Sequence, residues 1–284
     1  MKRSGLKSYF LPSVVILSII ATILGIWAFW LEPASLRTIA YVATPKAWPK
    51  ECDGLSIGVI ADLHAGAPYI DLEKVKQVVE QTNAAQPDLI LLAGDYVIQG
   101  VLGGRFIAPE NAAAVLSGLR ARLGIYAVLG NHDWWLDADR VTRALQKNGI
   151  KLLEDANAPL TLDDCAFTLV GISDFWEGPH DVVRAFTGIE QSSPIVAFTH
   201  NPDVFPHLPM PVGLAIAGHT HGGQVDLPLL GRLIVPSRYG KRFAAGVIVE
   251  SGQTYFVGTG IGSSIIPVRF RVPPEIAIVE LRSP

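Results

Sequence analysis

An α/β fold of two packed sheets with helices outside them, preceded by one transmembrane helix, is what this chain predicts. Three observations carry that prediction. Apolar runs and amphipathic stretches alternate as β-α-β-α-β-α between Leu55 and Lys147, short strand-like runs dominate after Ile150, and no charge occurs from Ser8 to Leu31.

The uncharged run is 24 residues long and rich in Val, Ile and Leu. A helix rises 1.5 Å per residue, so roughly 20 residues cross a hydrocarbon core. A cleaved signal peptide has a shorter apolar core and a small-residue cleavage site. This run exceeds the first and lacks a clear form of the second, so it reads as an uncleaved anchor over residues 11–31. Tyr9, Trp27 and Trp30 stand near its ends, where aromatic rings suit the headgroup region. Residues 1–10 form a basic segment with Lys2, Arg3 and Lys7, whereas Arg37, Lys46 and Lys50 follow the span at a greater distance. The positive-inside rule then puts the N-terminus in the cytoplasm and the remainder outside, as a single-pass protein of the cell (inner) membrane. Lys2-Arg3 also resembles a degenerate twin-arginine signal, although basic residues beside a span need no such role.

Residues 32–50 contain Pro33, Pro45 and Pro49 and read as a linker to a domain at 51–284. Leu55–Ala61, Leu89–Ala93 and Ile125–Leu129 are short apolar runs of buried-strand type. Between and after them, Asp71–Gln86, Glu110–Arg122 and Asp137–Lys147 have helical patterning; Asp137 is a candidate N-cap and Gly149 a stop. Beyond Ile150 the strands are Phe167–Ile172, Ile195–Thr199, Leu214–Ala217, Ala244–Glu250, Thr254–Val257 and Ile276–Leu281, with one short helix near Asp181–Phe186.

Residues 1–50 carry six Lys/Arg and one Glu, a net of +5, so the remainder of this −3 chain carries −8. A field of that sign is poor at drawing in a nucleic-acid backbone, and no nucleic-acid partner is expected. Cys52 and Cys165 are the only cysteines. They read as separate buried thiols, with a single bridge open to them if the domain lies outside the cytoplasm.

Five short motifs each follow an apolar run: Asp62-Leu-His64, Gly94-Asp95, Gly130-Asn131-His132-Asp133, Thr199-His200-Asn201 and Gly218-His219-Thr-His221. In open α/β sheets ligands bind beyond the carboxyl ends of strands. Each motif alone has an ordinary reading as a turn, a cap or a surface histidine. Together they bring carboxylate, amide and imidazole groups to one place. In Asp62/His64 and His219/His221 the partners are two apart, which points both side chains the same way in an extended chain.

In this order the motifs resemble the calcineurin-like metallophosphoesterases, whose pattern is D-x-H, G-D, G-N-H-D/E, a lone H and G-H-x-H. The resemblance covers residues 55–284, and its membrane-anchored bacterial branch is suggested by Asp62-Leu-His-Ala-Gly66, Gly218-His-Thr-His-Gly-Gly-Gln224 and Pro267–Ile276. It implies a four-layer αββα sandwich. It also implies two divalent metal ions, with Asp62, His64 and His221 on one, Asn131, His200 and His219 on the other, and Asp95 bridging. The ligands are all nitrogen or oxygen, which suits Mn, Fe, Zn or Mg. His132 is implied as the catalytic residue, giving a proton to the leaving oxygen; Asp133 either orients its imidazole or is a surface-loop residue.

The implied reaction is hydrolysis of a phosphodiester or pyrophosphate bond by a metal-bridging hydroxide. The substrate would be a phosphorylated small molecule or lipid, with the anchor favouring a lipid-linked or envelope one. The alternatives are a UDP-2,3-diacylglucosamine pyrophosphatase of lipid A synthesis and a non-catalytic scaffold of the same fold. Arg238, Lys241 and Arg242 are candidate substrate contacts, with Arg269 and Arg271 a second set. Leu227–Val235 is apolar and reads as core in preference to a membrane-facing lip.

Overall fold

Five consecutive apolar residues make Leu89–Ala93 a strand buried on both faces, and its side chains alternate between two cores. In the computed structural model, which describes the backbone of residues 6–284 and side chains from Pro12 onward, this is β3 of a six-stranded sheet. The basic residues Lys2 and Arg3 lie outside the described residues. The sheet contains β1 (Arg37–Ala43), β2 (Leu55–Ile60), β3, β4 (Ile125–Val128), β5 (Lys151–Leu152) and the last strand, β14 (Glu275–Leu281), in the order β1-β14-β2-β3-β4-β5. Strands β2 to β5 run parallel, with Val59 opposite Leu91 and Leu92 opposite Ala127, while β14 is antiparallel to β2.

A second six-stranded sheet holds β6 (Ala156–Leu162), β7 (Cys165–Ile172), β8 (Ile195–Thr199), β9 (Leu214–Ala217), β12 (Gly246–Glu250) and β13 (Gln253–Val257), ordered β12-β13-β9-β8-β7-β6. Between β9 and β12 a small hairpin, β10 (Asp226–Leu227) and β11 (Gly231–Arg232), stands apart from both sheets.

Three apolar cores hold four layers together. Val59, Leu89, Leu91 and Val128 meet Leu169, Val196, Phe198 and Ile216 between the sheets. Ile60, Ile90 and Leu92 pack under the helices Leu72–Ala84, Pro109–Leu116 and Asn131–Lys147. The fourth layer, over Val170, Ala197 and Ala215, is thin: it consists of the Val182–Ala185 helical turn and 3₁₀ turns at Pro202–His207 and Gly240–Phe243. This is the αββα arrangement. Inside Asn131–Lys147 the backbone is extended at Asp137, whose carboxylate accepts from Arg140 N at 2.9 Å, so the expected N-cap starts the second half of that helix.

The segment expected to be a linker is partly integral to the domain. Arg37–Ala43 is edge strand β1, paired in parallel with β14 from Arg37↔Glu275 to Ala43↔Leu281. Flanking prolines hide it in the sequence, although Ile39–Ala43 is an apolar run of strand type. Strand β6 escapes detection for a related reason: Pro159 sits inside it, which is tolerated only because β6 is also an edge.

The two cysteines are not separate thiols. Cys52 and Cys165 form a disulfide across 113 residues of sequence, tying the entry to β2 to the start of β7. Burial beside Leu55 and Phe167 brings them together, a proximity that no spacing rule reveals. Closing a loop of that size stabilises by roughly 4–5 kcal/mol in the chain-entropy model. Cys52→Ser is therefore expected to cost about 2–5 kcal/mol and to lower the melting temperature. Equal melting of oxidised and reduced protein would show that the bridge contributes nothing.

Pro12–Ala34 is long and apolar enough to cross a membrane, by length and composition, and its side chains are largely exposed. Its end is fastened to the domain. Arg269 N donates to the Ala28 carbonyl at 2.9 Å, and Tyr69 Oη to the Phe29 carbonyl at 2.8 Å. Glu32, buried at the helix end, accepts from Val272 N at 2.6 Å and from the Trp27 indole N–H.

Candidate metal centre

Strands β2, β3 and β4 of one sheet and β8 and β9 of the other end on the same side of the sandwich. Their C-terminal residues deliver Asp62, His64, Asp95, Asn131, His132, His200, His219 and His221 into one buried cluster. The two sheets are tied there by the Asp62 carboxylate, which accepts from His219 N at 3.0 Å, and by His200 Nδ1, 2.7 Å from the Ala93 carbonyl.

The local backbone differs from the extended geometry expected for the two-apart pairs. Asp62, His64, Asp95, His219 and His221 all have φ between 46° and 68°, in the left-handed region. A non-glycine residue there costs on the order of 1–3 kcal/mol and persists only where its surroundings over-determine it. Tight turns at the strand ends, not pleat alternation, aim these side chains. The close approach demands Gly130 and Gly218: a Cβ at Gly130 would lie 2.2 Å from Asp95 Oδ1, and one at Gly218 2.5 Å from Asp62 Oδ2.

The ligand-type atoms sort themselves by distance. His64 Nε2 is 3.2 Å from His221 Nε2, which is 3.4 Å from Asp62 Oδ1. Separately, His200 Nε2 lies 3.1 Å from both Asn131 Oδ1 and His219 Nδ1. Asp95 Oδ2 stands between the groups, 3.5 Å from His64 Nε2 and 3.3 Å from His200 Nε2. Atoms held ~2.0–2.2 Å from one ion lie roughly 3–3.5 Å apart. The cluster also has the chemistry of a cation site. The inward-facing nitrogens of His64 and His221, and of His200 and His219, meet ring to ring at 3.1–3.2 Å, and facing imidazole nitrogens gain little from each other without a cation. Asp62, Asp95, His64, His132, His200 and His221 supply three overlapping groups that could hold a metal ion.

Charge follows burial. Desolvation lowers the pKa of His64 to about 3 and holds His219 and His221 well below the ordinary histidine value, so all three offer neutral lone pairs. Burial opposes charge on Asp95 and His200 too, but their mutual attraction outweighs it. Asp95 is held well below the carboxylate range and His200 well above the imidazole range. Burial raises Asp62 to about 7. The metal-free site thus keeps a proton on His200 at neutral pH, and a cation must displace it. Cation binding is expected to release protons, with apparent affinity rising as pH rises. Calorimetric titration in buffers of different ionisation enthalpy checks this, and a heat independent of buffer would refute it.

The ring of His132 stands edge-on to His64 at 4.8 Å between centroids, and its backbone N–H donates to Asp95 Oδ1 at 2.9 Å. Burial lowers its pKa below the ordinary value. Asp133 neither orients this imidazole nor lies on a surface loop. Fully buried, it accepts from Asp95 N, Tyr96 N and Gly130 N at 2.8–3.0 Å, fixing the two loops that carry Asp95 and Asn131. Its carboxyl is raised to about 8 by burial and by the Asp95 charge.

The basic candidates each have a partner within the chain. Arg242 is paired with Glu250 at 2.7 Å, Lys241 Nζ reaches the Leu230 carbonyl at 3.4 Å, and the Arg238 guanidinium lies 4.8 Å over the Phe175 ring. Arg269 is fully buried, with burial lowering it to about 10; it donates to the carbonyls of Thr259, Gly260, Gly262 and Val272. It braces the loop that packs on Asp62 and His64, where a phosphate-binding arginine was expected. Two tryptophans escape sequence reasoning. Trp135 packs on His132 at 4.7 Å and Trp176 on His219 at 4.3 Å, both nearly half exposed at the mouth. Trp135 follows the Gly-Asn-His-Asp motif closely enough to have been noticed; Trp176 carries no local signal.

A buried nitrogen-and-oxygen cluster at the strand ends of an αββα sandwich defines a metallohydrolase type of site. The family model for calcineurin-like phosphoesterases matches residues 55–223, and the chain belongs to that family. It is 28% identical to the uncharacterized metallophosphoesterase YkuE of Bacillus subtilis, over 90% of this chain and 89% of that one. It is 30% identical to the phosphodiesterase YaeI of Escherichia coli, over 78% and 80%. To the UDP-2,3-diacylglucosamine pyrophosphatase LpxG of Chlamydia trachomatis it is 27% identical, over 89% and 92%. These relatives support a hydrolase of the metal-dependent phosphoesterase class, in which divalent metals are used.

Proposed function

We propose that this chain hydrolyses a phosphodiester or pyrophosphate bond of a lipid-linked or envelope substrate at two divalent cations, from the outer side of the cell's inner membrane. The sorting of the ligand atoms carries the reading: Asp62, His64 and His221 would hold one cation, Asn131, His200 and His219 the other, and Asp95 both. Mn, Fe, Zn or Mg suit such donors. When bound, the pair supplies Lewis-acid charge to the phosphoryl oxygens and a nucleophile derived from water.

The chain's own groups do the rest. His200 Nδ1–H donates to the Ala93 carbonyl, which leaves Nε2 as the ligand atom and fixes the ring. His132, edge-on to the ring of His64, is placed to give a proton to the leaving oxygen as charge develops there. Trp135 and Trp176 pack edge-on against the rings of His132 and His219 and limit their movement.

The anchor helix supports a lipid-linked or envelope substrate, since tethering raises the effective concentration at the surface. The Cys52–Cys165 bridge supports an extracytoplasmic domain, because structural disulfides persist in oxidising compartments. A second reading, cleavage of UDP-2,3-diacylglucosamine at its pyrophosphate, is favoured by the likeness to LpxG.

The test is turnover by purified full-length protein loaded with Mn, Zn, Fe or Mg. Its panel is bis-p-nitrophenyl phosphate, p-nitrophenyl phosphate, UDP-2,3-diacylglucosamine and phospholipids. Diester or phospholipid cleavage is expected; preference for the UDP-sugar selects the second reading. No turnover of any diester or pyrophosphate with any of the metals would leave a non-catalytic scaffold. A C-terminal reporter fusion tests the side of the membrane.

A further inference from the structure

The stretch 227–235 that reads as core in the sequence is on the surface. Leu229 is fully exposed, and Leu230, Leu233 and Ile234 are between 62% and 80% exposed. Leu229 and Leu230 make the turn of the β10–β11 hairpin, Leu233 and Ile234 follow it, and the hairpin pairs with neither sheet. Beside it, Ile265 is 73% exposed, and the two segments together line an apolar groove of about 430 Å³. A soluble surface seldom leaves so many large aliphatic side chains together without a use.

Position says what covers them. Phe270 N donates to the Gln224 carbonyl and Asp226 N to the Phe270 carbonyl, so the base of the hairpin is stitched to the 266–270 segment. The preceding residue, Arg269, gives its backbone N–H to the Ala28 carbonyl of the anchor helix. A span beginning near Pro12 uses roughly 20 residues to cross the hydrocarbon, which brings Ala28–Leu31 to its far boundary. The apolar hairpin and the Ile265 turn are therefore tied, through one short segment, to the end of the helix where it would leave the bilayer. Exposed Trp27 and Trp30, and Tyr69 bound to Phe29, mark the same level. Lys241, reaching the Leu230 carbonyl, adds a cation at the rim that suits anionic headgroups.

We propose that the β10–β11 hairpin and the Ile265–Ile266 turn enter the lipid surface as a second membrane contact beside the helix. The inference rests on the reading of Pro12–Ala34 as a membrane anchor. Its consequence is orientation. One loop runs from Gly260 and Gly262, which pack on Asp62 and His64, to Ile265, while the hairpin begins at Asp226, one short turn after His221. Seating both in lipid fixes the metal centre close to the surface and removes the swivel that a single helix would allow.

The full chain has no free cysteine among its described residues, so one introduced thiol can be labelled selectively. Leu229→Cys, Ile234→Cys, Leu24→Cys and Glu190→Cys would each carry an environment-sensitive fluorophore in phosphatidylethanolamine/phosphatidylglycerol vesicles containing doxyl-lipid quencher. Glu190 precedes β8, at the end of the sheet opposite His200. Metal content equal to the parent's checks that each variant is folded. Labels at 229, 234 and 24 are expected to lose most of their emission, and the label at 190 to keep it. Labels at 229 and 234 that stay as bright as the one at 190, while that at 24 is quenched, would overturn the second contact and leave the anchor standing. An unquenched label at 24 would overturn both.

Discussion

Asp95→Asn is expected to abolish turnover and to strip the site of metal while the protein stays folded. The Asp95 carboxylate works in two directions. Oδ1 holds the backbone N–H of His132 at 2.9 Å, a bond that asparagine can keep. Oδ2 faces His64 and His200 from 3.5 and 3.3 Å and is the single negative atom shared by both ligand groups. The substitution removes that charge and turns the bridging position into a weaker ligand. Loss of an outer-shell partner already costs about 10–100-fold in affinity or activity. Loss of the shared ligand should exceed that, with metal per chain falling towards zero by elemental analysis. Wild-type turnover at wild-type metal content would refute the bridging assignment.

The second large effect is expected at His132. His132→Ala should lower kcat by about 10²–10⁴-fold, the range for a positioned proton donor. Its metal content should stay near wild type, because the groupings around Asp62–His64–His221 and Asn131–His200–His219 form without it. Retention of metal with loss of turnover separates it from its sequence neighbour Asn131, whose substitution should cost metal as well. Loss of both metals in His132→Ala would make it a ligand; unchanged turnover would remove it from the reaction. The loss should also shrink for a substrate whose leaving group is a good one, such as p-nitrophenolate, because such an oxygen needs less help.

Most of the site was legible because its information is local. A polar residue placed straight after an apolar strand lies at a sheet end, and five such placements in one order point to one centre. The central strands were legible for the same reason: Leu89–Ala93, Ile195–Thr199 and Leu214–Ala217 are buried on both sides and need no partner to be recognised. What failed was whatever depended on how the backbone folds around a residue. Arg37–Ala43 is a strand only because β14 offers it an edge. Arg269 has its role because four carbonyls converge on it. Asp133 is placed by the backbone of a different loop. A pair of arginines or a carboxylate next to a histidine looks the same in a string of letters, whether it faces a substrate or the protein's own backbone.

The sequence by itself determined the alternation that forces two sheets together, the ligand-type residues at their ends and a helix long enough to cross a membrane. These depend on periodicity and residue type, which neighbours cannot change. The tertiary structure alone decided which atoms share a position, that Cys52 meets Cys165, that five of the site residues adopt left-handed turns, and that the 227–235 stretch faces outward beside the anchor. Each of these is a long-range contact, or its absence, and burial is settled only when the whole chain has chosen what to cover.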